Sequence, residues 1–454
     1  MHRRDVFGPE HLILHHHRHH HPNGPGDHHE HDHDHEHHLH LQLTHVTGAI
    51  PFLNPTHAAY RTTTSTSPSS SSSSSSTTSR HNCAPGPQIH RLWRARDTRK
   101  GRHALRITTS APAETPNQSP EPQNHHHHHH RRPILTPATD PTTHPRIILH
   151  TLKAMLTTCP YWDLSYLVAV TFTLGSAIWI VNAFFVWLPR QDPSTVFRGE
   201  EGAGGGWTAF VGAVVFEVGS WGLVGEALGA GGGDLGWCWG WDVSALGTSS
   251  LVLRPSTETC ICHHSNRKGL LSPSSPAGRK TATATATTLT ISSAGAAAAG
   301  RTTPRKVNHY LHDLGLWASL TQLVGATVFW IAGVTGLPGI IGHMSAPLTD
   351  GVYWVPQVVG GVCFVVSGGL FTLETQERWD RPAWRVLGWH IGVWNVVGGV
   401  GFTLCGVFGL AGMQYQACLA TFWGSWAFLW ASGLQWYESL QKWPVEVEKH
   451  HRHH

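Results

Sequence analysis

The chain has 454 residues, of which 13% are charged, against roughly 25% in an ordinary soluble domain. Its mean hydropathy of -0.19 averages a polar first third with a second half rich in Trp, Gly, Val, Leu and Phe. A formal charge of +4 is too small to suggest that the chain as a whole binds nucleic acid, and the eight scattered Cys outline no disulfide framework.

Residues 1–155 read as a disordered cytosolic region. They hold His-rich runs (His15–His21, His28–His40, His125–His130), a Ser/Thr tract and a basic Pro/Ser/Thr-rich stretch. Such composition cannot bury enough apolar surface to offset the entropy of ordering. The His runs suit weak divalent metal binding, but homopolymeric His lacks the fixed ligand geometry of a folded site, so no metal site is assigned. No cofactor is implied. The N-terminus has no apolar run long enough for a signal-peptide core, so insertion is expected to begin with the first span.

Six apolar segments follow, at about residues 166–188, 207–228, 314–337, 352–373, 386–410 and 419–436. They are cut to the ~30 Å of a bilayer core. The first stops at Pro189-Arg190, and its amide, Asn182, is read as bonded to its own backbone rather than across helices. The expectation is an all-α membrane protein of six transmembrane helices in three hairpins, 156–228, 310–376 and 377–440. Between the first two hairpins lies a low-complexity cytosolic loop, 229–309, and after the last a short charged tail, 441–454. In the long loop Cys260-Ile261-Cys262-His263-His264 is the one compact cluster of soft ligands, but neighbouring residues rarely supply all four zinc ligands.

The segments share a skeleton of Gly, an aromatic residue four later and a small residue four further. It reads Gly175/Trp179/Ala183, Gly212/Phe216/Ser220, Gly325/Phe329/Gly333, Gly360/Phe364/Gly368, Gly398/Phe402/Gly406 and Gly424/Phe428/Ser432. Positions four apart share one helix side, so each segment carries one stripe. Small residues let helices approach closely in lipid, and a ring fills the groove left by a neighbour's Gly. In the second, fourth and sixth segments an acid follows the aromatic by ten residues: Glu226, Glu374 and Glu438. Arg378 or Arg385 is a candidate partner for these acids.

Other polar residues lie deeper. Glu217 is the one acid well inside a segment, and Gln322, Gln357 and Asn395 each precede a repeat aromatic by seven residues. An intramembrane ionisable group is by default a functional candidate. The competing reading has Glu217 protonated or paired inside the bundle, with amides of neighbouring segments as partners, and serving packing alone.

Lys and Arg favour cytosolic connections. The N-terminal approach, the second and fourth connections and the tail are basic. The third and fifth contain neither Lys nor Arg, and in the first Arg190 and Arg198 are outweighed by acids. Both termini are therefore expected in the cytosol.

The paired segments, with their G-x-x-x-F core and trailing acid, resemble uncharacterised multi-pass integral membrane proteins of filamentous fungi, and more loosely the two-helix YrhK-like membrane domain. The resemblance covers about residues 160–228 and 310–440. It implies membrane location and brings no established activity or catalytic residues. The segments hold no H-E-x-x-H, no G-x-S-x-G and no paired catalytic acids. The reading is a non-enzymatic helical bundle, structural or transport-related, with the lipid bilayer as its partner and helix-mediated self-association left open. The alternative is a metal- or proton-coupled transporter using the His-rich tail and Glu217.

Overall fold

A computed structural model describes residues 39–64, 88–109, 134–230, 240–245, 250–256 and 311–449. The His runs up to residue 38 and at 125–130, and the Cys260 cluster, lie outside these residues.

Six long helices make the body: α3 (Leu164–Gln191), α4 (Gly206–Ala230), α5 (Leu314–Thr335), α6 (Val355–Glu374), α7 (Leu387–Leu410) and α8 (Gln414–Leu440). Asp163 and Asp313 cap α3 and α5, each accepting a backbone N–H of the first turn, which satisfies a donor no helix can pair internally. Gly412 ends α7 at φ 74, a left-handed cap conformation that glycine adopts without strain. Each helix packs on the next, and α8 returns to α3, so the six close into a ring. On the α6–α7 seam the backbones nearly touch. A Cβ at Gly361 would stand 2.6 Å from the Thr403 nitrogen, and one at Gly392 2.8 Å from the Thr372 nitrogen.

Five runs are long and apolar enough to cross a membrane: Leu164–Gln191, Glu200–Gly229, Leu314–Thr335, Ala346–Glu374 and Leu387–Leu410. The protein is therefore a multi-pass membrane helical protein. The sixth helix, α8, completes the ring but is too polar to join those five. Pro189 does not stop α3, which carries it in its last turn and ends at Gln191.

The expectation of disorder throughout 1–155 is corrected. Five strands and two helices fold there: β1 (Leu39–Thr47), β2 (His57–Thr64), β3 (Gln88–Arg94), α1 (Ala95–Arg99), β4 (Leu105–Thr109), β5 (Ile134–Pro137) and α2 (Pro145–Thr157). The long loop contributes β6 (Trp241–Ala245) and β7 (Ser250–Pro255), and the tail contributes β8 (Val445–Lys449). One sheet runs β1-β2-β3-β4-β8, antiparallel except where β8 joins β4 in parallel; the other runs β5-β7-β6. The strands alternate in type, as in LHLQLTHVT, QIHRLWR and VEVEK, a period-two pattern that bulk composition hides. Ile89, Leu105, Ile107, Trp241, Leu253 and Val445 form one core under both sheets. This cap sits at the end of the bundle where α8 passes into β8. We call it the acid end, because Glu226, Glu374 and Glu438 lie there.

Candidate functional site

The six glycines and six rings singled out in the sequence meet one another pairwise. A Cβ at Gly175 would stand 2.7 Å from the Phe216 ring, and one at Gly212 2.8 Å from Trp179 Nε1. In the second hairpin Gly360 would meet Phe329 Cβ at 2.8 Å and Gly325 the Phe364 ring at 3.2 Å; in the third, Gly398 would meet Phe428 at 2.7 Å and Gly424 would meet Phe402 at 3.0 Å. In the first and third hairpins each ring thus fills the notch its partner leaves. In the second the helices approach more closely, Gly360 facing the Cβ of Phe329 and Gly325 facing Cys363 Cβ at 2.6 Å ahead of the Phe364 ring.

The seated rings meet on the bundle axis in two triangles. Trp179, Phe329 and Phe402, from α3, α5 and α7, have centroids 5.1–5.5 Å apart. Phe216, Phe364 and Phe428, from α4, α6 and α8, stand 5.6–6.3 Å apart. Phe329–Phe364 and Phe402–Phe428 join the layers. The alternation follows from chain direction: a ring four residues past Gly is shifted one way in rising helices and the other way in descending ones.

At the acid end the three repeat acids are almost fully buried, with Glu226, Glu374 and Glu438 no more than 1% exposed. Their partners come from one short excursion between β3 and β4. Arg96 grips Glu438 with two bonds, Nη2–Oε2 at 2.8 Å and Nε–Oε1 at 3.3 Å. Arg99 Nη2 donates to Glu374 Oε2 at 2.5 Å, and its guanidinium lies over the Phe371 ring. Lys100 Nζ lies 3.6 Å from Glu438 Oε2 and within the field of Glu226, whose Oε1 accepts from Ser165 Oγ at 3.0 Å. Gly101, at φ 61, turns the chain back towards β4. Arg102 closes the group by bonding both Asp97 and Glu438. Burial lowers Lys100 to about 8; Arg96 and Arg99 act in the same direction, and Glu226 and Glu438 oppose them. Buried charges of this kind persist only when paired, so the excursion and the acids form one unit.

Between this basic excursion and the Phe216/Phe428 layer lies a cavity of about 30 Å³, into which Gln322, Asn395 and Gln435 face. That is room for about two waters. Beyond the Trp179/Phe329 layer a larger cavity of about 270 Å³ reaches the connections at Glu201 and Ile341. Asn182, Gln357 and Thr421 line it, and Gln357 Oε1 accepts from Cys405 Sγ. Its charged lining residues, Arg190 and Glu201, pair with each other.

Several sequence expectations need correcting. Glu217 does not point into the bundle or meet an amide. Its Oε1 accepts from Trp221 Nε1 and Thr327 Oγ1 on the outer flank of α4 and α5, away from both cavities. Asn182 bonds across the hairpin, to the Gly205 carbonyl and Thr208 Oγ1. Arg378 pairs with Asp380 and Arg385 stacks on Trp384, so neither serves the repeat acids. Arg96, Arg99 and Lys100 escaped notice because their surroundings looked like low-complexity tail. Also missed were Ser165, Gly315 and Gly388, small residues ten before the repeat Gly of α3, α5 and α7. A Cβ at Gly315 would meet Glu374 Oε1, and one at Gly388 would meet Arg96 Nε; the fixed spacing was a usable signal.

Among the described residues no three His, Cys, Asp or Glu stand together as metal ligands. Comparison with known proteins yields no matching family model, no matching curated protein and no matching solved structure.

Proposed function

We propose that the chain is a non-enzymatic membrane bundle of six spans, built as three hairpin repeats with both termini in the cytosol, and that its role is transport-related rather than purely structural. The observation that carries this reading is the axis itself: two cavities, separated by two triangles of rings, inside a closed ring of helices. A scaffold needs no interior lined with amides and hydroxyls.

Two features support α8 as the sixth span. Its polar residues Thr421, Ser425, Ser432, Gln435 and Glu438 are buried inside the ring, while Trp423, Trp426 and Trp430 face outward. Its low apolarity therefore belongs to the interior, and its outer face suits lipid. At the acid end, α2 leaves Leu149, Leu152 and Leu156 exposed along one side, with Arg146 and Lys153 beside them. Such a helix suits the plane of an anionic membrane surface, which favours the cytosolic leaflet for that end. The alternative, a metal- or proton-coupled transporter acting through Glu217, is disfavoured because that carboxyl lies between α4 and α5 and lines neither cavity.

Epitope tags inserted after Met344 and after Met413, in full-length protein in intact cells, test the arrangement. Both should be reached only from the non-cytosolic side, and a C-terminal tag only from the cytosol. Two internal tags facing the cytosol would overturn it.

A further inference from the structure

We propose that the bundle axis is a stoppered route for small uncharged hydrogen-bonding solutes, of the size of a short polyol or a urea-like amide, and that the excursion carrying Arg96, Arg99 and Lys100 is its stopper. This rests on the six-span reading above and adds to it a substrate class and a means of closure.

The substrate class follows from what lines the two chambers. The far chamber presents the amides of Asn182 and Gln357 and the hydroxyl of Thr421; the near one presents Gln322, Asn395 and Gln435. Asn182 and Asn395 spend amide N–H groups on the Gly205 and Ile391 carbonyls, Gln357 Oε1 accepts from Cys405, and the Thr421 hydroxyl donates to the Ala417 carbonyl. The remaining carboxamide and hydroxyl capacity offers both donors and acceptors, which suits a solute that needs both and carries no charge. An ion gains little here. The far chamber's charged lining residues, Arg190 and Glu201, neutralise each other, and the three cations above the near chamber face Glu226, Glu374 and Glu438. At about 270 Å³ the far chamber accepts a solute of several heavy atoms, whereas the near one, about 30 Å³, holds little more than water while the cations stay in place.

The stopper reading follows from where the cations come from. They belong to no span. They reach the mouth from the β3–β4 connection and hold it through side-chain ion pairs, while Asp97 braces the excursion's own turn by pairing with Arg94 and Arg102, which in turn hold Glu446 and Glu438. Withdrawal of this one connection opens the near chamber towards the cap without unwinding any of the six helices. The two ring layers then remain as a septum made of side chains alone, which yields by rotamer changes, so the ion-paired stopper is the slower of the two barriers in series.

The test uses the full chain in liposomes, with glycerol and urea as probes and swelling followed by light scattering. Wild type should pass both solutes slowly. Arg99→Ala combined with Lys100→Ala, which leaves the Arg96–Glu438 pair intact but strips Glu374 and Glu226 of their cations, should raise glycerol and urea flux by about ten-fold or more, without raising chloride leak. Arg99→Lys with Lys100→Arg should behave as wild type. Adding Gln322→Leu and Asn395→Leu to the opened variant should return the flux towards wild type. Should the alanine pair fail to fold, Asp97→Asn loosens the brace that shapes the excursion's turn while keeping every repeat acid and its cation, and should raise flux several-fold. The proposal is overturned if well-folded stopper variants pass glycerol at the rate of empty liposomes, or if they leak chloride as readily as glycerol. The tag experiment is read separately, so failure of the six-span reading is distinguishable from failure of the route.

Discussion

Arg96 and Glu438 are 342 residues apart in the chain and 2.8 Å apart in the fold, each almost fully buried. An N-terminal segment and the last long helix are therefore one electrostatic unit. The same holds for Arg99 with Glu374, 275 residues apart. Truncating one partner of a buried pair costs about 3–5 kcal/mol, because the other charge is left stranded, whereas replacing both with apolar groups of similar volume costs far less. Glu438→Ala should thus lower thermal stability in detergent markedly, and Glu438→Leu with Arg96→Met should recover only part of it, since Lys100 and Arg102 also face that carboxylate. If Glu438→Ala melts with the wild type, the pair holds nothing together.

A related expectation concerns the first 110 residues. Their removal takes away Arg96, Arg99 and Lys100 but none of the long helices. The truncated chain should still insert and fractionate with membranes, yet unfold at lower temperature than the full chain, since three buried acids lose their cations. Resistance to trypsin in membranes, followed against temperature, measures the difference.

The glycine notches make a sharper steric prediction. A Cβ at Gly398 would stand 2.7 Å from the Phe428 ring, while one at Gly433, on the same hairpin, meets nothing within 4 Å. Overpacking of this sort costs about 1–3 kcal/mol. Gly398→Leu should destabilise the protein in detergent by that order, Gly433→Ala should be near neutral, and Phe428→Ala should partly rescue Gly398→Leu by vacating the notch.

These notches were legible because they follow helix geometry within one segment: a Gly, a ring four residues on, and the reversal of direction at each hairpin. The partners of Glu226, Glu374 and Glu438 were not, because nothing local links residue 96 to residue 438. The strands of the cap were legible in principle, since Leu39, Leu41 and Leu43 alternate with polar residues, but His and Ser/Thr runs on either side dominated the composition. Glu217 shows the opposite failure. A mid-segment acid says nothing about which side of the helix faces its neighbours, and here Glu217 lodges half-buried between α4 and α5 on their outer flank, clear of the axis.

The cap carries a pH dependence of definite sign. Burial and the Arg94 guanidinium push His57 from 6.5 down to about 3. Between those values the unfolded chain takes up a proton that the folded cap refuses, so stability falls as pH drops from 6.5 towards 3. Burial pushes the Glu446 carboxyl up, but Arg94 and Arg106 more than offset this and hold it below its ordinary 4.5. Its contribution is present above 4.5 and lost as pH falls below. Acid should therefore loosen the sheets, seen as faster amide exchange in β2 and β8. His57→Asn should flatten the portion between 6.5 and 3 and leave the Glu446 portion in place. An unchanged profile in His57→Asn would remove His57 as the cause.

Glu217 separates the remaining functional alternatives. Its carboxylate Oε1 takes bonds from Trp221 and Thr327 on the outer flank of α4 and α5, and an amide at that position keeps an acceptor oxygen for both. Glu217→Gln should therefore change stability by less than about 1 kcal/mol. It should also leave glycerol flux through the opened stopper variant unaltered, since the carboxyl lines neither chamber. Metal uptake by cells expressing the protein should be equally insensitive. Loss of uptake on this single substitution would mean that a proton or metal ion is handled on the lipid-facing flank rather than along the axis, and would favour the coupled-transporter reading over the stoppered route.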